Sequence, residues 1–127
     1  MSRRATITAA GAPAAVGPYS HAVRSGELIF CSGQLPIDPA SGQIAGAGAG
    51  AQTQRCLENL QAVAEAAGSE LARALRLTVY TTALEQFAQI NEAYAKFFAA
   101  EPPARVTVGV AALPLGALVE IDAILPA

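Results

Sequence analysis

Two adjacent prolines, Pro102-Pro103, separate two incompatible hydrophobic periods in this chain. Before them, Phe87, Ile90, Tyr94 and Phe97 recur at i, i+3, i+7 and i+10, which predicts a helix from about Leu84 to Ala99 with one core-facing side. After them, Ala104 to Val110 alternates, with Val106, Val108 and Val110 on one side and Arg105, Thr107 and Gly109 on the other, the period of a strand. Proline has no amide hydrogen and forces the residue before it out of the helical region, so the change of period is abrupt. The chain must therefore fold with helix and sheet in one structure.

The rest of the sequence extends this pattern. Ala5 to Thr8 reads as a short strand and Gly11 to Tyr19 as a turn-rich loop containing Pro13, Gly17 and Pro18. Ala22 to Ser25 and Leu28 to Ser32 flank Gly26-Glu27, which predicts a tight β-hairpin. Leu35 to Gly50 is an irregular connection. Leu57, Leu60, Ala64 and Ala67 form one apolar stripe of a helix from about Ala51 to Ala67, and Gly68 is its stop. Leu75 to Thr81 is a strand with Leu75, Leu77 and Val79 on one face. In a last strand, Val119, Ile121, Ala123 and Leu125 face one way and Glu120 and Asp122 the other. The order predicts one α+β domain over residues 1–127, its two helices covering one sheet face and leaving the other wet or buried in a partner.

Composition favours the partner. Of 127 residues, 53% are hydrophobic and only 14% charged, too few charges to cover a monomer of this size, so a homo-oligomer is expected. A net charge of -2 without a basic stripe leaves no footprint for nucleic acid. No apolar run approaches the roughly 20 residues that span a bilayer, and Met1 to Gly11 lacks the apolar segment of a secretory signal, so the cytosol is the expected compartment. Cys31 and Cys56 read as two buried thiols, and a single histidine, His21, makes a Cys/His metal site a poor expectation. The run Gly46 to Ala51 fits a dinucleotide fingerprint only superficially, because no parallel βαβ unit surrounds it.

The chemistry concentrates on Arg105 and Glu120. If the last two strands form an antiparallel hairpin around Ala111 to Pro114, Val110 pairs with Leu115 and Arg105 lies opposite Glu120 on the same face. An arginine in a valine-rich strand offers a planar fork suited to a carboxylate. The pair is then either a cross-strand ion pair or part of a site for an anion, and the pattern supports both.

Five segments, in order along the chain, resemble the RidA/YjgF family of imine deaminases. Ala14-Ala15-Val16-Gly17-Pro18-Tyr19-Ser20 resembles its Gly-Pro-Tyr motif and Cys31-Ser32-Gly33-Gln34-Leu35-Pro36 its Ser-Gly-Gln motif. Leu57-Glu58-Asn59-Leu60 and Asn91-Glu92-Ala93-Tyr94 fit its two helices. Pro103-Ala104-Arg105-Val106, followed by Val119-Glu120-Ile121, resembles its C-terminal signature. The resemblance implies a chorismate-mutase-like α+β fold with a mixed sheet, assembled as a homotrimer with active sites between subunits. It implies hydrolysis of reactive 2-imino acids or enamines, such as 2-iminopropanoate and 2-iminobutanoate, to 2-oxo acids and ammonia, with no cofactor and no metal. Carried across, Arg105 binds the substrate carboxylate, Glu120 positions the water, and Tyr19, Ser32, Asn91 and Thr107 line the pocket.

The sequence departs from the family pattern at Thr107, where some members carry cysteine, so no obligatory thiol nucleophile acts there. Pro102 stands where an aromatic residue is common, and His21 where glutamine is frequent. The stretch Gly46 to Ala51 lengthens the loop before the first helix. Two other classes compete: a non-catalytic module that binds small carboxylates in the same clefts, and a ribonuclease, an activity attributed to some relatives that the acidic balance disfavours.

Overall fold

The computed structural model describes residues 3–127. Eight main elements follow one another: β1 (Ala5–Ile7), β2 (Ala22–Ser25), β3 (Leu28–Gln34), α1 (Ala49–Ala66), β4 (Arg76–Thr81), α2 (Phe87–Ala95), β5 (Ala104–Gly109) and β6 (Val119–Pro126). The strands form one mixed sheet of six in the order β1-β2-β3-β6-β4-β5. All neighbours are antiparallel except β4 and β5, which run parallel. The expected α+β class and the expected hairpin are both present: β2 and β3 turn over Gly26-Glu27 with Ser25 paired to Leu28, and Gly26 takes φ of 59°, the left-handed region open to glycine.

The expected hairpin of the last two strands does not form. Strand β6 crosses over β4 and inserts between β3 and β4, so it never meets β5. Arg105 pairs with Leu77, while Glu120 pairs with Tyr80. The physical reason lies in burial: Val119, Ile121, Ala123 and Leu125 of β6 are essentially inaccessible, and a central strand packed beneath α1 buries such a row. Strand β5 is left at the edge.

Both helices lie on the face that carries Leu77, Val79, Ile121 and Leu125. From α1, Cys56, Leu57, Leu60, Val63 and Ala64 join this core, and Gly68 ends the helix at φ of 77°. The helices approach closely at Gly50, where a Cβ would stand 3.1 Å from the Gln89 carbonyl oxygen. The periodicity overstated α2. Ile90 and Tyr94 are buried, but Phe87 is 41% exposed, and regular α-helix ends at Ala95. Phe98, rather than Phe97, completes the buried row. Leu75 lies just outside β4 and is exposed.

Buried polar side chains tie the irregular segments to the helices. Asn59 Nδ2 donates to the carbonyls of Leu35 and Ile37, at 3.1 and 2.9 Å, and so holds the chain leaving β3. Gln52 Oε1 accepts from the Leu118 amide at 2.7 Å and fixes the entry to β6. The face without helices carries Phe30, Val106 and Val108, all partly open to solvent.

Candidate active site

Glu120 projects from the helix-free face of β6, because alternation turns its neighbours Val119 and Ile121 into the core. Across from it, β3 bulges. Cys31 pairs with Ala123 and Gln34 with Ile121, so three steps on β3 answer two on β6 and Ser32-Gly33 carries the extra residue. Gly33 faces the Glu120 carboxylate so closely that a Cβ there would lie 2.7 Å from Oε2. A cavity of about 220 Å³ opens beside them, with Tyr19, Ser32, Gly33 and Glu120 as its polar side and Val16, Leu35 and Pro114 as its apolar side.

Hydrogen bonds fix this wall. Ser32 Oγ donates to the Ser20 carbonyl at 2.6 Å, and the Ser32 amide donates to the His21 carbonyl at 3.0 Å. The Tyr19 hydroxyl accepts from the Val16 amide at 3.2 Å. Burial raises the Glu120 carboxyl above its ordinary value of 4.5, and the nearby Asp122 charge raises it further. Asp122 itself accepts a hydrogen bond from the Tyr80 hydroxyl at 3.0 Å.

A second polar cluster gathers around Arg105. Residues paired in a parallel ladder share a face, so Arg105, beside buried Leu77, points toward the helices from the edge strand. Its guanidinium carbon lies 4.8 Å from the Tyr94 ring centre and 5.7 Å from that of Phe87. These are cation–π distances. Among the described residues Arg105 has no ion pair, and its guanidinium makes none of the side-chain hydrogen bonds. Thr107, two residues on, shares its face, and Asn91 shares the α2 face of Phe87 and Tyr94. Thr107 Oγ1, Asn91 Oδ1 and the Tyr94 hydroxyl are all buried without hydrogen-bond partners. Burial pushes the Tyr94 phenol up, while Arg105 beside it pulls it down.

Within one chain these are two clusters, not one. Tyr19 and Ser32 lie with Glu120; Asn91 and Thr107 lie with Arg105. The two groups occupy opposite faces of the sheet with β4 between their strands, so Arg105 does not lie opposite Glu120 as the hairpin alternation placed it, and of the two readings the cross-strand ion pair is excluded. Sequence reasoning passed over Gly33, Phe87 and Tyr94 as site residues. Gly33 was signalled by its place between Ser32 and Gln34, and the two aromatics by their i, i+7 spacing on either side of Asn91.

The thiols do not enter. Cys31 and Cys56 are free and buried. Burial, with a smaller contribution from Asp122, pushes the Cys31 thiol up to about 12, far from a reactive thiolate. The described residues contain no group of three or more His, Cys, Asp or Glu side chains placed to hold a metal ion, and no helix long and apolar enough to cross a membrane.

Residues 9–126 match the family model described as Endoribonuclease L-PSP. The chain belongs to the RidA/YjgF/RutC family. Among family members, it is 51% identical to the RutC family protein y4sK of Sinorhizobium fredii over 94% of each chain. It is 41% identical to the 2-iminobutanoate/2-iminopropanoate deaminase of Bos taurus, over 95% of this chain and 88% of that one. The crystal structure of RidA from the Antarctic bacterium Psychrobacter sp. PAMC 21119 superimposes with a TM-score of 0.93 at 41% identity, over 97% of this chain and 99% of the other. The RidA/YjgF resemblance, the mixed α+β sheet and the two helices are thus established; in this family member Arg105 and Glu120 stand on separate strands of that sheet, β5 and β6.

Proposed function

We propose that the protein hydrolyses 2-imino acids or their enamine tautomers, such as 2-iminopropanoate and 2-iminobutanoate, to 2-oxo acids and ammonia in the cytosol, without a cofactor. The observation that carries this reading is Arg105: a half-buried guanidinium, braced by two aromatic rings, with no acidic partner among the described residues. A substrate carboxylate supplies that anion through two parallel hydrogen bonds. Neutral hydroxyl and amide groups from Thr107 and Asn91 stand beside it with unused bonding capacity.

Glu120 supports the chemical step. Water adds to the carbon of the protonated imine as one of its protons passes to the carboxylate, giving a tetrahedral carbinolamine. That proton moves on to nitrogen, and as the C–N bond breaks the carbinolamine hydroxyl gives its proton to the carboxylate, so that the C=O forms and ammonia leaves. A carboxyl raised above the ordinary range suits a group that must both take and return a proton. The 2-oxo acid product keeps the carboxylate on Arg105.

Arg105 and Glu120 cannot reach one small substrate within a protomer, so the site is completed by a second copy. The reading is supported by the position of β5 at the sheet edge, where a neighbour's Glu120 cavity could dock against Arg105. A ring of three protomers satisfies every such contact, since each copy gives one cluster and receives the other. The exposed Phe30, Val106 and Val108 supply apolar area for the same assembly. The 41% identity to a deaminase of this substrate class also supports the reading.

The test is to generate 2-iminopropanoate in situ and follow its disappearance with a carbonyl-type trap. Acceleration by the wild-type protein, reduced about 10²-fold in Arg105→Ala, is the expected result. No acceleration, or full activity in Arg105→Ala, overturns it. A thermal shift with 2-oxobutanoate but no turnover would instead make the protein a carboxylate-binding module.

A further inference from the structure

We propose that His21 is a positioning residue for the Glu120 cluster, a neutral imidazole latch that holds the loop from Ala9 to Ser20 in its binding shape. The histidine is buried, and both ring nitrogens are engaged. Nδ1 lies 2.9 Å from the Ala9 amide nitrogen, and Nε2 lies 2.8 Å from the Pro13 carbonyl oxygen. An amide N–H only donates and a carbonyl only accepts, so Nδ1 holds the lone pair and Nε2 the hydrogen. The backbone adds a third tie, because the His21 carbonyl accepts from the Ser32 amide at 3.0 Å. One residue therefore joins the start of the loop, its middle and the β3 bulge. The same loop brings Val16 and Tyr19 to the cavity and offers the Ser20 carbonyl to Ser32.

This geometry holds only for the neutral ring. A proton on Nδ1 would set two donors against each other across the 2.9 Å contact with Ala9. Nothing nearby would hold an imidazolium in compensation. The cavity on which His21 opens is lined by residues between Thr8 and Ser20 and by Pro39, with no charged side chain, and Tyr19 is its other titratable group. On the sheet, Cys31 is paired with Ala22 and stays neutral, and Arg24, further along β2, is a cation. The pocket therefore suits the neutral ring, and loss of its two bonds would free the wall that faces Glu120.

The inference rests on the Glu120 cavity being half of the active site, and the experiment separates the two. Glutamine can accept from Ala9 through Oε1 and donate to Pro13 through Nε2, so His21→Gln keeps both bonds of the latch. Amide hydrogen exchange, expressed as protection of Ala9 and the following loop relative to free-chain rates, reads the latch without any turnover. At about pH 7.5 His21→Gln should match wild type, whereas His21→Ala should lose loop protection and about tenfold in kcat/KM on the imine substrate. Equal protection in His21→Ala and wild type, or a loss in His21→Gln as large as in His21→Ala, overturns the latch. Should His21→Ala not fold, the comparison of His21→Gln with wild type decides alone. Absence of imine hydrolysis in wild type would overturn the proposed function while leaving the exchange result to judge His21.

Discussion

Gly33 and Glu120 face each other across the β3 bulge with no room for a methyl group between them: a Cβ on the glycine would stand 2.7 Å from Oε2 and 3.1 Å from the carboxyl carbon of the glutamate. The glycine is required here for space, since its backbone is not in the left-handed region. Gly33→Ala must push the Glu120 side chain off its place beside the cavity. The expected result is a loss of about 10²-fold in kcat/KM on 2-iminopropanoate, with stability lowered by only about 1–3 kcal/mol. Imine turnover and chemical denaturation on the same preparation check it; wild-type turnover would contradict it.

Glu120 is held where its charge is disfavoured. Burial and Asp122 raise its carboxyl above 4.5, so the folded protein binds this proton more tightly than the unfolded chain does. Its favourable contribution is complete below about pH 4.5 and is lost as pH rises through the raised value. Glu120→Gln removes the disfavoured charge. It should melt at a higher temperature than wild type at pH 7, with the gap closing as pH falls, while imine hydrolysis drops about 10²–10⁴-fold. Melting curves at a series of pH values, beside turnover at neutral pH, test both halves.

Separation of the two clusters onto opposite sheet faces makes complementation possible. Arg105→Ala keeps a sound Glu120 cluster, and Glu120→Gln keeps a sound Arg105 cluster. Mixed in equal amounts under conditions that let subunits exchange, two inactive proteins should recover about a quarter of wild-type activity, since half the donors of each kind are intact at random. Activity that stays at the sum of the two variants would place both residues of each site in one chain.

The helix-free face should govern assembly. Val106 is 44% exposed, Val108 37% and Phe30 45%, apolar surface on one sheet face that suits the proposed assembly. Val108→Asp introduces a charge there and should convert the assembly to monomers in light scattering. It should also abolish turnover, although Val108 points away from Arg105. A monomeric variant with full activity would contradict the shared site.

The elements that follow from local periodicity were legible in the sequence: the β2–β3 hairpin, the first helix with its Gly68 stop, and the alternation of β5. The pairing of β6 was not. A hairpin between sequential strands is the short connection, and nothing local in Arg105 to Leu125 opposes it; what opposes it is the demand of four apolar side chains in β6 for cover beneath α1, a tertiary effect. The same error joined Arg105 to Glu120 too early. The motifs named Tyr19, Ser32, Asn91 and Thr107 as a group, yet the β3 register shift that seats Gly33 against the carboxylate depends on where β6 runs. The buried Gln52 and Asn59 were equally silent, because their worth lies in backbone groups more than 20 residues away.

The central place of β6 also has a consequence for how the chain comes into being. A ribosome delivers β6 after the seven other elements, yet β6 is the seam on which β3 and β4 meet. Until it emerges, the nascent chain holds two unjoined pieces, the β1–β3 meander and the parallel β4–β5 pair, and the part of α1 that packs on β6 stays uncovered. Folding must then close in one late event across long sequence separations. Loss of the residues from Val119 onward would not shorten the sheet from one edge. It would cut it in two, and leave a product for proteases and chaperones to remove.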